Sequence, residues 1–246
     1  MAEADLQPPH APGATSTLHV ISSMATRQLL SSLADAWSAR TQHPVNLVSV
    51  GGVEAAQRVA AGEAFDLVVL ADDALHRLAA QAAIDAHTLS PVVASGMAAC
   101  VPAGAPRPAW RHGHDVREAV LATVAQGQAI GYSTGPSGGA LLQLFERWGL
   151  MATLGPHLLQ ARPGVPVGSL VASGEAGLGF QQLSELIHEP GIALIGPLPD
   201  DIQVTTVFSA AVCAQAQQPD AAADFLRFLR SADAADTHRA HGMAPL

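Results

Sequence analysis

The chain has 246 residues, 49% of them hydrophobic and 13% charged, with 12 basic against 21 acidic residues and a net charge of −9. Every basic residue is an arginine, which excludes a lysine Schiff base, a Walker-type phosphate lysine and a lysine general base. The acidic balance and the 4% aromatic content argue against a nucleic-acid partner, which needs a basic stripe.

Residues 1–16 read as a flexible tail. Strand and helix then alternate three times. The strands are residues 18–21, 45–50 and 65–70. The first helix runs to about Arg40, with Leu29, Leu30, Leu33, Ala34 and Trp37 at helical spacing. Such alternation predicts a parallel α/β sheet. Beyond residue 90 the pattern changes. Residues 92–93 and 97–101 have β-character, and 116–125 is a predicted helix. A short strand at 130–132 enters the loop 133–139, followed by a helix over 140–148. Residues 167–173 read as helix, 176–180 as strand, 204–214 as strand and 219–229 as the last long helix. The expected fold is a two-lobed α/β architecture, each lobe a mixed sheet flanked by helices, with the ligand cleft between them. Residues 17–91 plus 215–246 are expected to form lobe 1, and 92–214 lobe 2.

No stretch approaches the ~18 uninterrupted apolar residues of a membrane span, so no membrane insertion is expected. Residues 1–13 have neither a basic nor an apolar region of a signal peptide. If Met1 is the native start, that points to the cytoplasm. Cys100 and Cys213 match no metal or redox spacing; buried free thiols are the default reading, with a disulfide left open. His112-x-His114 lies in a polar loop without a third ligand, so no metal site is expected.

Several loops after predicted strands share one chemistry. Ser22-Ser23, then Val50-Gly51-Gly52, then the run Ser133-Thr134-Gly135-Pro136-Ser137, then Val165-Pro166-Val167 each precede a helix. Small residues let backbone N–H groups approach a ligand, hydroxyls add donors, and helix N-termini favour negative charge. The competing reading of each loop is ordinary N-capping. Arg27, in the first turn of its helix, suits a carboxylate held in a bidentate fork. Tyr132, the single tyrosine, stands at a strand end. Gln181-Gln182, with Ser184 and Glu185 behind, are polar groups at an expected lobe edge. Asp72-Asp73 most simply cap the helix that follows them, or supply a general base.

The order of these segments resembles the molybdate-binding branch of the periplasmic solute-binding proteins. The residues that carry the resemblance are Ser22-Ser23, Val50-Gly51-Gly52, Phe65-Asp66-Leu67-Val68-Val69 with Ala71-Asp72, Ser173-Gly174-Glu175-Ala176-Gly177-Leu178-Gly179 and the closing His241-Gly242-Met243. The resemblance implies a type II two-lobed fold, a periplasmic setting and an ABC-transporter permease as partner. It maps first-lobe donors to Ser22 or Ser23 and the Val50-Gly51 turn, and second-lobe donors to Ser137 and Val165–Val167. The family's ligand-binding tyrosine falls at Gln182. That departure, together with Arg27 and the hydroxyl-rich loop 133–139, favours a di- or tricarboxylate over molybdate. Capture of such an anion is the first functional reading. Aconitate isomerase is similar to the same branch, so the alternative is a cofactor-independent isomerase of an unsaturated polycarboxylate. Tyr132, Asp72 and Glu185 are its candidate acid/base groups, and neither reading calls for a cofactor.

Overall fold

The computed structural model describes residues 16–246, so the expected tail lies almost entirely outside the described residues. Strand β1 (Leu18–Ser23) runs parallel to β2 (Val45–Val50) on one side and β3 (Leu67–Ala71) on the other. Helix α1 (Arg27–Thr41) follows β1 through a 3-10 turn, Met24–Thr26. It buries Leu29, Leu30, Leu33, Ala34 and Trp37, the set its periodicity predicts. Helix α2 (Gly52–Ala60) follows β2, and α3 (Asp72–Ala80) follows β3.

The long strand β4 (Ser90–Pro102) joins two sheets. Its residues 90–96 pair with β9 (Thr205–Val212), which is itself antiparallel to β3. Its residues 97–100 pair instead with β7 (Leu178–Gln182), and its end also pairs with β8 (Ile192–Pro197). In the second sheet β5 (Ile130–Tyr132), β6 (Leu158–Gln160) and β7 are parallel. The short β10 (Ala244–Pro245) returns to the first half of β4. The strand order is β2-β1-β3-β9-β4-β7-β5-β6.

Each sheet is covered on both faces. In the first half, Leu18 and Val20 pack with α1 and with α9 (Pro219–Leu229), where Trp37 and Phe225 rings lie 5.1 Å apart. Ile21, Val68 and Leu70 face α2 and α3 on the other side. In the second half, Phe145 of α5 (Pro136–Arg147) and Phe180 meet edge to face, together with Val116 and Val120 of α4 (Gly113–Ala125). Val171 of α7 (Val167–Ala172) and Leu186 of α8 (Leu183–Leu186) cover the opposite face; α6 (Met151–Leu154) precedes β6 and α10 (Ala235–Ala240) precedes β10. Burying each large apolar side chain contributes about 1.5–3 kcal/mol.

Several boundaries differ from expectation for identifiable reasons. Helix α5 starts at Pro136 rather than Ala140, because proline at the first helical position sacrifices no hydrogen bond. Strand β7 continues through both glutamines, since Met97 pairs with Gln182 and Ala98 with Gln181. The predicted apolar runs at 92–93 and 97–101 are one strand. Helix α4 starts at Gly113, before Val116, where Asp115 accepts the N–H groups of Arg111 and His112. Cys100 and Cys213 are both free and buried, and burial pushes both thiols up to about 12.

Candidate functional site

Parallel strands end together, and here their C-terminal ends gather the small polar residues. At the first edge, Ser22 and Ser49 are in register, and their hydroxyl oxygens lie 2.8 Å apart. Ser22 is fully buried. Ser23 is 8% exposed, and its hydroxyl has no hydrogen-bond partner. An unpartnered buried hydroxyl is costly unless a ligand completes it. Beside it is the start of α2: a Cβ placed on Gly52 would stand 3.8 Å from Ser23 Cβ.

None of α1, α2 and α5 has a side-chain cap bond at its N-terminus; the capping residues are Thr26, Gly51 and Gly135. Capping therefore does not account for these hydroxyl- and glycine-rich loops. At the start of α1 the Arg27 N–H donates to Met24 O, and at the start of α5 the Gly138 and Gly139 N–H groups donate to Gly135 O, so the start of α2 is the clearest place for first-turn N–H groups to meet an anion. Val50 ends β2 and Gly51 leads the chain into α2. Arg27 is exposed in the first turn of α1 and lines a surface groove with Ser31, Leu47 and Ser49. Ser31 is therefore an addition to the sequence-derived set, and Ser49 belongs to the same strand end as Val50, Gly51 and Gly52. Its pairing with Ser22 comes from the register of β1 on β2.

At the second edge, Tyr132 ends β5, half-buried against the second core. Ser133 and Ser137 hydroxyl oxygens lie 3.0 Å apart, while Thr134 is exposed. Gly138 is required here: a Cβ would come within 1.9 Å of the Ser133 carbonyl oxygen. The N–H of Val165 donates to Arg162 O at 3.0 Å, and that of Val167 donates to Gln181 Oε1 at 2.8 Å. Both donors are thus engaged within the chain.

Gln182 is buried where the two sheets meet. Its carbonyl accepts from Thr206 Oγ1 at 2.7 Å, with its NH2 donating to Ser95 O at 3.0 Å. It ties β7 to β4 and β9. Asp72 and Asp73 do not cap α3; they form its first turn, favoured by the helix dipole. Asp72 accepts from Ser209 Oγ at 2.5 Å and stands 3.3 Å from His76 Nε2, and Asp73 pairs with Arg77.

Glu185 differs from these carboxylates. It lies on α8, which packs against the Met24–Thr26 turn immediately after Ser23 and so stands where the two halves meet. Gln181 Nε2 donates to its Oε2. Among the described residues no cation pairs with it. Burial pushes its carboxyl up to about 7, against the lowering effect of Gln181. The structure thus brings Ser22, Ser23, Arg27, Gly51 and Gly52 to one edge and Tyr132, Ser133, Thr134 and Ser137 to the other. Among the described residues no group of three or more His, Cys, Asp or Glu is arranged to hold a metal, and no helix is long and apolar enough to cross a membrane.

Comparison with known proteins agrees with this architecture. The family model of bacterial extracellular solute-binding proteins matches residues 18–244. An aconitate isomerase from a Pseudomonas species is 34% identical over 238 residues, covering 94% of this chain and 88% of that protein. The periplasmic molybdate-binding protein of Azotobacter vinelandii superposes with a TM-score of 0.78 at 20% identity, covering 92% of this chain and 98% of the other. PEB3, a Campylobacter jejuni protein, with bound L-phospholactate superposes with a TM-score of 0.72 at 16% identity, covering 92% and 99%. The fold is that of the type II periplasmic binding proteins, and the chain belongs to the bacterial extracellular solute-binding protein family.

Proposed function

We propose that this protein is an isomerase of an unsaturated tricarboxylate of the aconitate type, acting in the cleft between its two halves. The observation that carries this reading is Glu185, a partly buried carboxyl with no cationic partner among the described residues, held at about 7 on the segment that meets the Ser23 turn. A base whose pKa lies near the working pH can both take and return a proton. The 34% identity to an aconitate isomerase supports the same reaction class. In the proposed roles, Arg27 grips one carboxylate. The Ser22, Ser23, Ser133, Thr134 and Ser137 hydroxyls and the start of α2 receive the others.

The chemistry is an allylic proton shift. A C–H bond of the substrate methylene breaks, and its electron pair spreads over three carbons. The proton then returns to the far carbon, and the double bond moves. Both terminal carbons bear carboxylates, so the product is again an aconitate. Its cis or trans geometry depends on the conformation held when the proton returns.

The test is to mix the protein with cis- or trans-aconitate in D2O and follow isomerisation and deuterium entry by proton NMR. Interconversion with deuterium at the methylene is expected. No turnover and no exchange across a panel of unsaturated carboxylates would reject the reading. A second reading, capture of a small carboxylate or oxyanion for an ABC-type permease, is favoured by the family match and by the unpartnered Ser23 hydroxyl. Tight binding of molybdate, tungstate or a tricarboxylate by calorimetry, with no turnover, would decide for it.

A further inference from the structure

The geometry points to Gln181 as a positioning residue that dictates which oxygen of Glu185 exchanges the substrate proton. The inference rests on the isomerase reading above and deepens it.

Gln181 is buried at the end of β7 and contacts two partners of opposite kind. Its Oε1 accepts the N–H of Val167, the first residue of α7, at 2.8 Å. A backbone N–H can only donate, so this bond sets the orientation of the amide. The Nε2 end must then face Glu185, where it donates to Oε2. An oxygen receiving a strong donor is the poorer site for a proton. Oε1 of Glu185 is therefore left as the proton-carrying oxygen. In the reaction, the C–H bond breaks as an O–H bond forms on Oε1. That O–H bond then breaks as the far carbon is protonated. Oε2 stays bonded to Gln181 throughout, so the carboxyl does not rotate between the two half-steps. The Val167–Gln181–Glu185 chain also gives the Val167 N–H a use within the protein that a direct ligand bond would displace.

The experiment compares the wild type with Gln181→Met, which keeps the length of the side chain and removes both bonds. Glu185 is titrated by carbon-13 NMR of glutamate carboxyls, with E185Q to assign its signal. The pH dependence of kcat and KM for aconitate is measured on the same proteins. Losing a donor to the charged form should raise the Glu185 midpoint by about one pH unit. The acid limb of kcat should move up by the same amount, with KM little changed. Gln181→Asn, whose amide is too short to span both partners, repeats the test should Gln181→Met fold poorly. Equal midpoints, or a lower rate with an unmoved limb, would overturn the role of Gln181 while leaving the isomerase reading intact. A displaced midpoint in a protein whose wild type never turns over aconitate would instead sink the isomerase reading, and the proposed role with it.

Discussion

The side chain of Gln203 hydrogen-bonds to both backbone groups of Met97. Its Oε1 accepts the Met97 N–H at 2.9 Å, and its Nε2 donates to the Met97 carbonyl at 3.2 Å. Met97 is where β4 leaves its partner β9 for β7, and Gln203 lies on the segment returning to β9. The pair therefore ties together the two stretches of chain that connect the sheets. Any closure of the halves on a ligand must bend the chain here.

Gln203→Ala should lower stability by about 1–3 kcal/mol, the range for losing a partly buried pair of hydrogen bonds. Urea denaturation measures this directly. Ligand affinity should fall as well, because looser connections leave the closed arrangement less populated. Unchanged stability and unchanged calorimetric affinity would show that the crossing is held by backbone pairing alone.

Arg27 forms no ion pair among the described residues and sits at a helix N-terminus, where a cation is unfavourable without an anion nearby. Its groove with Ser31 and Ser49 opens beside the first-edge hydroxyls. Replacing it with alanine should weaken tricarboxylate binding by roughly 1.5–3 kcal/mol through loss of a charge-assisted bond. The fold should be nearly unaffected, since the side chain is exposed. Calorimetric titration with cis-aconitate checks the first effect and a thermal melt the second. Full-strength binding by the variant would remove Arg27 from the site.

Gly138 and Gly139 are neighbours on α5 with opposite expectations. A methyl at 138 collides with the Ser133 carbonyl, whereas a methyl at 139 meets nothing within 4 Å. Gly138→Ala should cost about 1–3 kcal/mol and displace the serine loop from the helix start. Gly139→Ala should be neutral or stabilising by up to about 1 kcal/mol, because alanine is the better helix former. Paired thermal melts, read beside ligand affinity, separate the two. Similar effects at both positions would mean that the loop does not pack on the helix as described.

Much of the fold was legible because its signals are local. The spacing of Leu29, Leu30, Leu33 and Trp37 marks one helix face, and Phe225 and Leu229 mark another. Strand ends rich in Ser and Gly marked both edges of the proposed site. Relationships between distant segments were not legible. That Ser22 faces Ser49 depends on strand register, and that Gln182 reaches Ser95 and Thr206 depends on three strands meeting. Gln181 and Gln182 look alike in sequence but point to opposite faces of β7, as successive strand residues must. One therefore serves Glu185 and Val167, and the other serves the junction of the sheets. The candidate acids were equally indistinct. Asp72 and Glu185 each follow an apolar strand closely. Only the packing separates a carboxylate bonded to Ser209 and His76 from a partly buried one with no cation beside it among the described residues.

That burial of Glu185 has a consequence for stability that can be measured without any substrate. Its carboxyl lies near 7 in the folded protein and near 4.5 in the ordinary range expected of the unfolded chain. Below about pH 4.5 the group is protonated in both states and imposes no penalty. Between there and pH 7 the unfolded chain releases its proton while the native protein keeps it. The native state then binds more protons, so stability falls as pH rises through this window and levels off above it. Glu185→Gln carries no ionisable group and avoids the decline. The variant should therefore gain on the wild type by about 3 kcal/mol between pH 4.5 and pH 8. Taking the difference between the two proteins cancels the contributions of His238 and His241, which burial lowers in both. Urea denaturation across this range gives the comparison. A constant difference at every pH would mean that Glu185 titrates like an exposed carboxylate, and its assignment as the proton-transfer group would fail.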